Sequence, residues 1–325
     1  MAPNPPLLLR ANGKLLLSGE YAVLDGALAL ALPTRLGQAL EVSETPGAAG
    51  SLRWESIDEQ GKSWFSAAFQ TADWSCIEEA PSETARWIER LGRAIQAMRP
   101  EWLQGTPALQ VRTRLDFSRD WGLGSSSTLV SLLAQWAGVD PYALLAASFG
   151  GSGYDIACAQ ATGPLLFQRR AAVPTYVEVP FNPAFREQLF FLYLGKKQNS
   201  RDGIARYRAL GTGTRQLVEE ISALTWGLAT AVELDHFEAL LGRHEERIAN
   251  ALDLAPVGAA LFPDYWGKVK SLGAWGGDFA LLSSRRPEVE TRSYFLEKGF
   301  PVLIPYDELI LNPYAACLPN GTTAG

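Results

Sequence analysis

The sequence predicts an α+β protein built from two domains. Alternating apolar and polar segments dominate residues 7–70. Stretches of helical period follow at 81–98, 214–231 and 237–252. Short apolar runs suited to buried strands recur at 189–194, 279–282 and 302–304. At 325 residues, 47% of them hydrophobic, the chain can bury two cores or one large one. The pattern changes beyond Pro183, so the expected domains are 1–183 and 184–325.

Leu7 to Arg10 reads as a short strand, Ala11-Asn12-Gly13 as a turn, and Lys14-Leu15-Leu16-Leu17 as a second run. Ser18-Gly19-Glu20 interrupts that run before Tyr21-Ala22-Val23-Leu24, and Asp25-Gly26 is a hairpin-turn signal. Leu36–Val42 and Leu52–Phe69 hold further alternating segments. Pro81-Ser82-Glu83-Thr84 opens a helix in which Trp87, Leu91, Ile95 and Met98 recur at helical spacing. Ala108 to Leu115 alternates as a strand. Asp140-Pro141 suits an N-cap followed by a first-position proline, with a short helix to Ala147 that ends at Phe149-Gly150-Gly151. Ser152-Gly153-Tyr154-Asp155 leads into the small-residue segment Ile156–Ala159, before a strand at Leu165–Gln168.

In the second half, Leu189–Leu194 reads as a buried strand. Thr214–Ala231 is a helix with Leu217, Ile221, Leu224 and Leu228 on one stripe. Phe237, Leu241, Ile248 and Leu252 mark a second helix. Phe279–Leu282, a helix from Pro287 to Lys298, and Val302–Ile304 complete the pattern, and the tail Leu318–Gly325 is expected to fray.

Lys plus Arg total 29 against 35 Asp plus Glu, a net charge of −6, which lacks the basic footprint of general nucleic-acid binding. Cys76, Cys158 and Cys317 are scattered without metal or disulfide spacing, as suits a reducing cytoplasm. Met1-Ala2-Pro3-Asn4-Pro5-Pro6 lacks the basic and apolar regions of a signal peptide. No apolar run approaches the roughly 18 residues that span a bilayer. The composition therefore points to a cytoplasmic protein with no membrane and no nucleic-acid partner.

The chemistry centres on Trp121-Gly122-Leu123-Gly124-Ser125-Ser126-Ser127-Thr128, followed by the apolar run Leu129–Ala134. Glycines allow tight turns, and serines at a helix start cap it through their side-chain oxygens. A glycine loop opening a helix turns several N–H groups and the positive dipole end toward an anion, which binds phosphate. The hydroxyls can add hydrogen bonds or reach a magnesium ion. No lysine follows the glycines, so this is not a Walker A loop; a capped helix after a turn is the plain alternative.

Four patches stand in order: Asn12-Gly13-Lys14 with Gly19-Glu20-Tyr21, the 121–128 loop, Gly151–Asp155, and Lys270–Asp278. Together they resemble the galacto-, homoserine, mevalonate and phosphomevalonate (GHMP) kinase superfamily, over Leu9 to about Ile304. The resemblance implies a two-domain α+β fold with the active site in the interdomain cleft, ATP and Mg²⁺ as cofactors, and a small-molecule acceptor. Gly19-Glu20-Tyr21 and Gly151–Asp155 look like phosphomevalonate kinases, whereas Gly195–Arg201 is nearer the basic loop of mevalonate kinases. An acceptor of mevalonate or phosphomevalonate follows, and a homodimer is compatible with this reading.

By the same resemblance, Gly122, Leu123, Gly124, Ser125, Ser126 and Ser127 hold the ATP phosphates, with Ser126 at the metal. Asp155 is the catalytic base and Lys14 its charged partner at the transferring phosphate. Glu20, Tyr21, Ser152, Lys196, Lys197, Arg201 and Gly276 fall to the acceptor. By residue type alone Asp155 suits a helix N-cap better than a base, and Glu20 equally suits substrate or orientation of Lys14. His244, between Leu241 and Ile248, reads as a core histidine. Two departures from the family stand out. No acidic residue lies between Pro141 and Tyr154 to supply the magnesium glutamate, and Trp275 and Asp278 replace small residues. An ATP-dependent diphosphomevalonate decarboxylase and a non-catalytic nucleotide sensor are the alternatives on this fold.

Overall fold

The computed structural model describes residues 5–170, 173–196, 200–273, 275 and 277–316. Contacts divide the chain into two compact units, each assembled from separated segments. The first takes the chain up to Gly13, Leu36–Arg119 and Leu123–Gln160; the second takes Lys14–Arg35, Asp120–Gly122 and the chain from Ala161 onward. A single cut near 183 does not describe these units, because residues 14–35 and 120–122 group with the C-terminal half.

In chain order, strands β1 (Leu7–Ser18), β2 (Ala29–Glu44), β3 (Ser51–Ile57) and β4 (Ser63–Gln70) precede helix α1 (Glu83–Met98) and strand β5 (Leu109–Leu115). Helices α2 (Ser125–Ala137), α3 (Pro141–Ser148) and α4 (Tyr154–Gln160) follow. Then come β6 (Leu165–Arg170), β7 (Val173–Glu178), β8 (Leu189–Tyr193), α5 (Ser200–Ala209), α6 (Arg215–Thr230) and α7 (Leu234–Leu252). The last elements are α8 (Val257–Leu261), β9 (Val269–Ser271), β10 (Phe279–Ser283), α9 (Glu288–Glu297), β11 (Leu303–Pro305) and α10 (Tyr306–Leu309).

In the first unit, β3 lies between β4, antiparallel to it, and β5, parallel to it. β5 pairs in turn with the second half of β2, antiparallel from Gln38↔Leu115 to Glu44↔Leu109. Leu40, Val42, Trp54, Phe69 and Val111 from the strands bury against Ile88, Leu91, Ile95, Leu132 and Leu133 from α1 and α2. Ser82 caps α1, its side chain accepting from the Ala85 N–H at 3.2 Å. On the helical stripe Leu91 and Ile95 are buried, while Met98 is exposed. Gly92 faces the indole of Trp74, where a Cβ would overlap the ring.

In the second unit, Ala29–Ala31 of β2 pair antiparallel with β6, and β6 with β7. A separate antiparallel sheet runs β11-β8-β10-β9. Phe190, Leu192, Val269, Ala280, Leu282 and Leu303 from its strands bury with Phe262 and Phe295. α6 and α7 bury the stripes the sequence predicts, with His244 and Glu245 inside the second one.

Several local expectations are corrected. Ala11-Asn12-Gly13 is not a turn: β1 is continuous from Leu7 to Ser18 and pairs with β2. Gly37 of β2 meets the Ala11 carbonyl where no Cβ would fit, so strand pairing overrides local turn chemistry. Asp25-Gly26 is not a two-residue hairpin. Ala22–Asp25 form a 3-10 turn that Gly26 closes at φ 93. The small-residue segment after Asp155 is helix α4, and β7, α5 and β9 are elements the sequence reading left out. The tail from Cys317 lies outside the described residues. Among the described residues no helix is long and apolar enough to cross a membrane.

Candidate active site

The first unit holds α2, which the glycine–serine loop opens, and Asp155. Gly124 stands at the N-cap of α2 at φ 90, a left-handed conformation that glycine adopts without strain. Glycine has no side-chain oxygen, so the N-cap residue makes no side-chain capping bond. The first helical bond runs from the Thr128 N–H to the Gly124 carbonyl, so the amides of Ser125, Ser126 and Ser127 precede the ladder. Such an end, thirteen residues of dipole behind it, suits an anion. The Thr128 hydroxyl donates to Gln38 Oε1 at 2.6 Å, both residues buried, which ties the helix start to β2.

The three serines differ. Ser126 is exposed and Ser125 partly so, whereas Ser127 is buried. The Ser127 hydroxyl donates to Asp155 Oδ2. Asp155 stands in the first turn of α4, after Gly153 at φ 93, and its Oδ1 accepts from the Ile156 N–H at 3.2 Å. Since the Ala157 N–H bonds to the Gly153 carbonyl, Asp155 is within the helix and not its N-cap. Ser152, expected at the acceptor, is buried.

The second unit gathers Lys14, Gly122, Lys196 and Asp278. Lys14 on β1 donates from Nζ to the Gly122 carbonyl at 2.9 Å. Gly122 has φ 64, and a Cβ there would run into the Asp278 carboxyl group. The Asp278 N–H donates to the Lys196 carbonyl at 2.7 Å, and the Leu194 N–H to the Asp278 carbonyl at 2.8 Å. Trp121 packs edge-on against Phe279, with ring centroids 5.6 Å apart. Of the expected basic patch, Lys196 is exposed, Lys197 lies outside the described residues, and Arg201 stands in the first turn of α5. Gly276 also lies outside them.

Glu20 departs from its expected role. Its side chain is 1% exposed and faces Lys270, which is 0% exposed, so it is shut away from any acceptor in solution. Lys270 Nζ donates to Glu20 Oε1 at 2.5 Å and to the Ser271 carbonyl at 2.7 Å. Glu20 Oε2 lies 3.3 Å from Nε2 of His244. That nitrogen accepts the Gly19 N–H at 3.0 Å, so the imidazole is neutral with its proton on Nδ1. Burial, and then the Lys270 ammonium, hold His244 well below its ordinary 6.5. Burial pushes the Glu20 carboxyl above 4.5, and Lys270 offsets this only in part. Tyr21, expected at the acceptor, is buried at φ 60 with its ring stacked 6.5 Å from Tyr207. Tyr207 in turn donates to Asp25 at 2.9 Å.

Sequence reasoning missed Lys270 as the partner of Glu20. The sequence sets Lys270 between Val269 and Ser271, two residues after Lys268, which does not single it out. It also missed Ser127 as the partner of Asp155, for which the sequence carries no signal.

Among the described residues no three His, Cys, Asp or Glu side chains gather to hold a metal ion. The exposed Ser126 hydroxyl at the uncapped helix start is the side chain suited to a magnesium ion that arrives with phosphates. A cavity of about 680 Å³ in the second unit, lined by Glu245, Asn250, Phe262, Tyr265 and Lys268, contains none of the site residues above.

No protein-family model matches the chain, and no curated protein matches it in sequence. Its fold does match solved structures. Streptococcus pneumoniae phosphomevalonate kinase, in complex with phosphomevalonate and AMPPNP, aligns over 91% of this chain and 99% of that one, with TM-score 0.67 and 17% identity. L. major mevalonate kinase, in complex with R-mevalonate, aligns over 91% and 92%, with TM-score 0.64 and 14% identity. The chain has the GHMP-kinase fold. Lactococcus lactis galactokinase, complexed with galactose, shares it at TM-score 0.59 and 12% identity, over 93% of this chain and 94% of that one. The α+β class expected from sequence is therefore the one observed.

Proposed function

We propose that this protein is a small-molecule kinase. It transfers the γ-phosphoryl group of ATP, with Mg²⁺, to mevalonate or phosphomevalonate. The observation that carries this reading is the uncapped start of α2 with the Asp155 carboxylate tied to it through Ser127. The fold shared with mevalonate and phosphomevalonate kinases supports it.

In the reaction, the acceptor oxygen attacks the γ-phosphorus, and the bond between that phosphorus and the ADP oxygen breaks. Asp155 takes the proton that the acceptor hydroxyl loses, when the hydroxyl is the nucleophile. A positioned base is worth roughly 10²–10⁴-fold. The α2 amides hold the phosphates, and a charge-balancing role for the Lys14 ammonium is what the family resemblance implies. Bound magnesium supplies further neutralisation of phosphate charge.

ADP release measured against mevalonate, phosphomevalonate, diphosphomevalonate, homoserine and several sugars tests the reading. Turnover with mevalonate or phosphomevalonate, lost at least a hundredfold in Asp155→Asn with ATP binding retained, is the expected result. ATP binding without turnover on any of them would make the chain a sensor. Release of CO2 from diphosphomevalonate would make it a decarboxylase.

A further inference from the structure

We infer that the Ser127 side chain positions Asp155 and that its hydroxyl is not a ligand of the nucleotide phosphates; this rests on Asp155 being the base. Ser127 is 5% exposed in the first turn of α2, and its hydroxyl donates to Asp155 Oδ2. A serine hydroxyl has one hydrogen. With that hydrogen engaged by the carboxylate, the side chain turns only lone pairs outward, and lone pairs repel phosphate. Its neighbour Ser126 is exposed and keeps the ability to donate. The three consecutive serines therefore divide: Ser126 serves the nucleotide and Ser127 serves the base.

The division follows from helical geometry. Adjacent residues on a helix point about 100° apart, so Ser126 and Ser127 cannot share a face. Ser127 points into the first unit toward α4, where Asp155 occupies the first turn. Asp155 is only partly buried, and its other oxygen meets a neighbouring amide at 3.2 Å. The Ser127 bond holds the carboxylate plane in one orientation without adding a charge. Loss of such a bond lets the base swing from its productive geometry, and a misplacement of about 1 Å costs as much as 10²-fold in rate.

The test is a variant set of Ser127→Ala, Ser127→Thr, Asp155→Asn and the Ser127→Ala/Asp155→Asn double variant. Turnover is measured for each, with AMPPNP affinity by calorimetry and the thermal midpoint. Ser127→Ala is expected to lower kcat ten- to a hundredfold, with AMPPNP affinity within about twofold of the parent. Ser127→Thr, which restores the hydroxyl, should regain most of the rate. On the Asp155→Asn background, Ser127→Ala should cost nothing further. Weakened AMPPNP binding with kcat intact, or losses that multiply in the double variant, would overturn the inference. If Ser127→Ala is too unstable to assay, Ser127→Cys keeps the volume with a weak donor and is read in the same way. Full activity in Asp155→Asn would instead remove the base assignment. An inactive Asp155→Asn beside a fully active Ser127→Ala would remove only the positioning role.

Discussion

Lys270 and Glu20, 250 residues apart in the chain, meet at 2.5 Å where neither reaches solvent. Taking two charges out of water costs more than their attraction returns unless the geometry is good and the remaining polar atoms find partners. Here Lys270 also donates to the Ser271 carbonyl, while among the described residues Glu20 Oε2 finds no hydrogen-bond donor and lies 3.3 Å from the unprotonated Nε2 of His244. The pair is thus a demanding device for holding the Gly19–Tyr21 turn. Lys270→Met should destabilise the protein by about 3–5 kcal/mol in urea unfolding, because it strands a buried carboxyl. Combining it with Glu20→Leu should recover a large share. A single variant as stable as the parent would refute this account of the pair.

Acid sensitivity should come from His244. In the folded protein its imidazole is neutral well below 6.5, held there first by burial and then by Lys270. The unfolded chain takes up a proton near 6.5, so below that pH the unfolded state binds more protons and stability falls with pH. The limiting slope is about 1.4 kcal/mol per pH unit. Glu20, raised by burial, acts in the opposite sense: its contribution is full below 4.5 and is lost as pH rises through its folded value. Subtracting the unfolding curve of His244→Gln, which retains Glu20, isolates the histidine. Parallel curves for parent and variant between pH 5 and 7 would remove His244 as the cause.

Gly122→Ala should impair catalysis while leaving the protein folded. The position sits at φ 64, where an alanine costs about 1–2 kcal/mol, and its Cβ would displace the Asp278 carboxyl group. The same residue offers the carbonyl that Lys14 holds at 2.9 Å. Turnover should drop at least tenfold with a thermal midpoint that falls only a few degrees. Parental activity would show that the Lys14–Gly122 link plays no part.

Gly92→Ala probes packing in the first unit. Alanine gains about 1 kcal/mol in a helix interior. Against this, its Cβ would overlap the indole of Trp74, which is fully buried and stacked 5.2 Å from Trp102. Rings fixed on both sides cannot retreat, so the clash should win by about 1–3 kcal/mol. Urea unfolding decides it, and a variant at least as stable as the parent would mean that the Trp74 pocket yields.

Much of the fold was legible because its signals are local. The Ser82 and Asp140 caps, Pro141 at a helix start, and the stripes on α6 and α7 each depend on residues within a turn or two of one another. Local rules also misled where pairing overrode them, as at Ala11-Asn12-Gly13 inside β1. At the candidate site, residue types and order marked Lys14, Asp155 and the serine loop. The partners of those residues were not marked. Ser127 meets Asp155 across 28 residues and Lys14 meets Gly122 across 108, and no spacing rule spans such distances.

The sequence alone determined the α+β class, the glycine–serine start of α2 and the inventory of groups able to move a phosphate. Periodicity, capping and backbone freedom are properties of neighbouring residues and survive without tertiary contacts. Tertiary structure alone decided that Glu20 faces Lys270 and not solvent, that His244 is neutral, and that Ser127 is buried against Asp155 while Ser126 is exposed. Burial and long-range hydrogen bonding set these roles, and desolvation exists only once the chain has folded around the group.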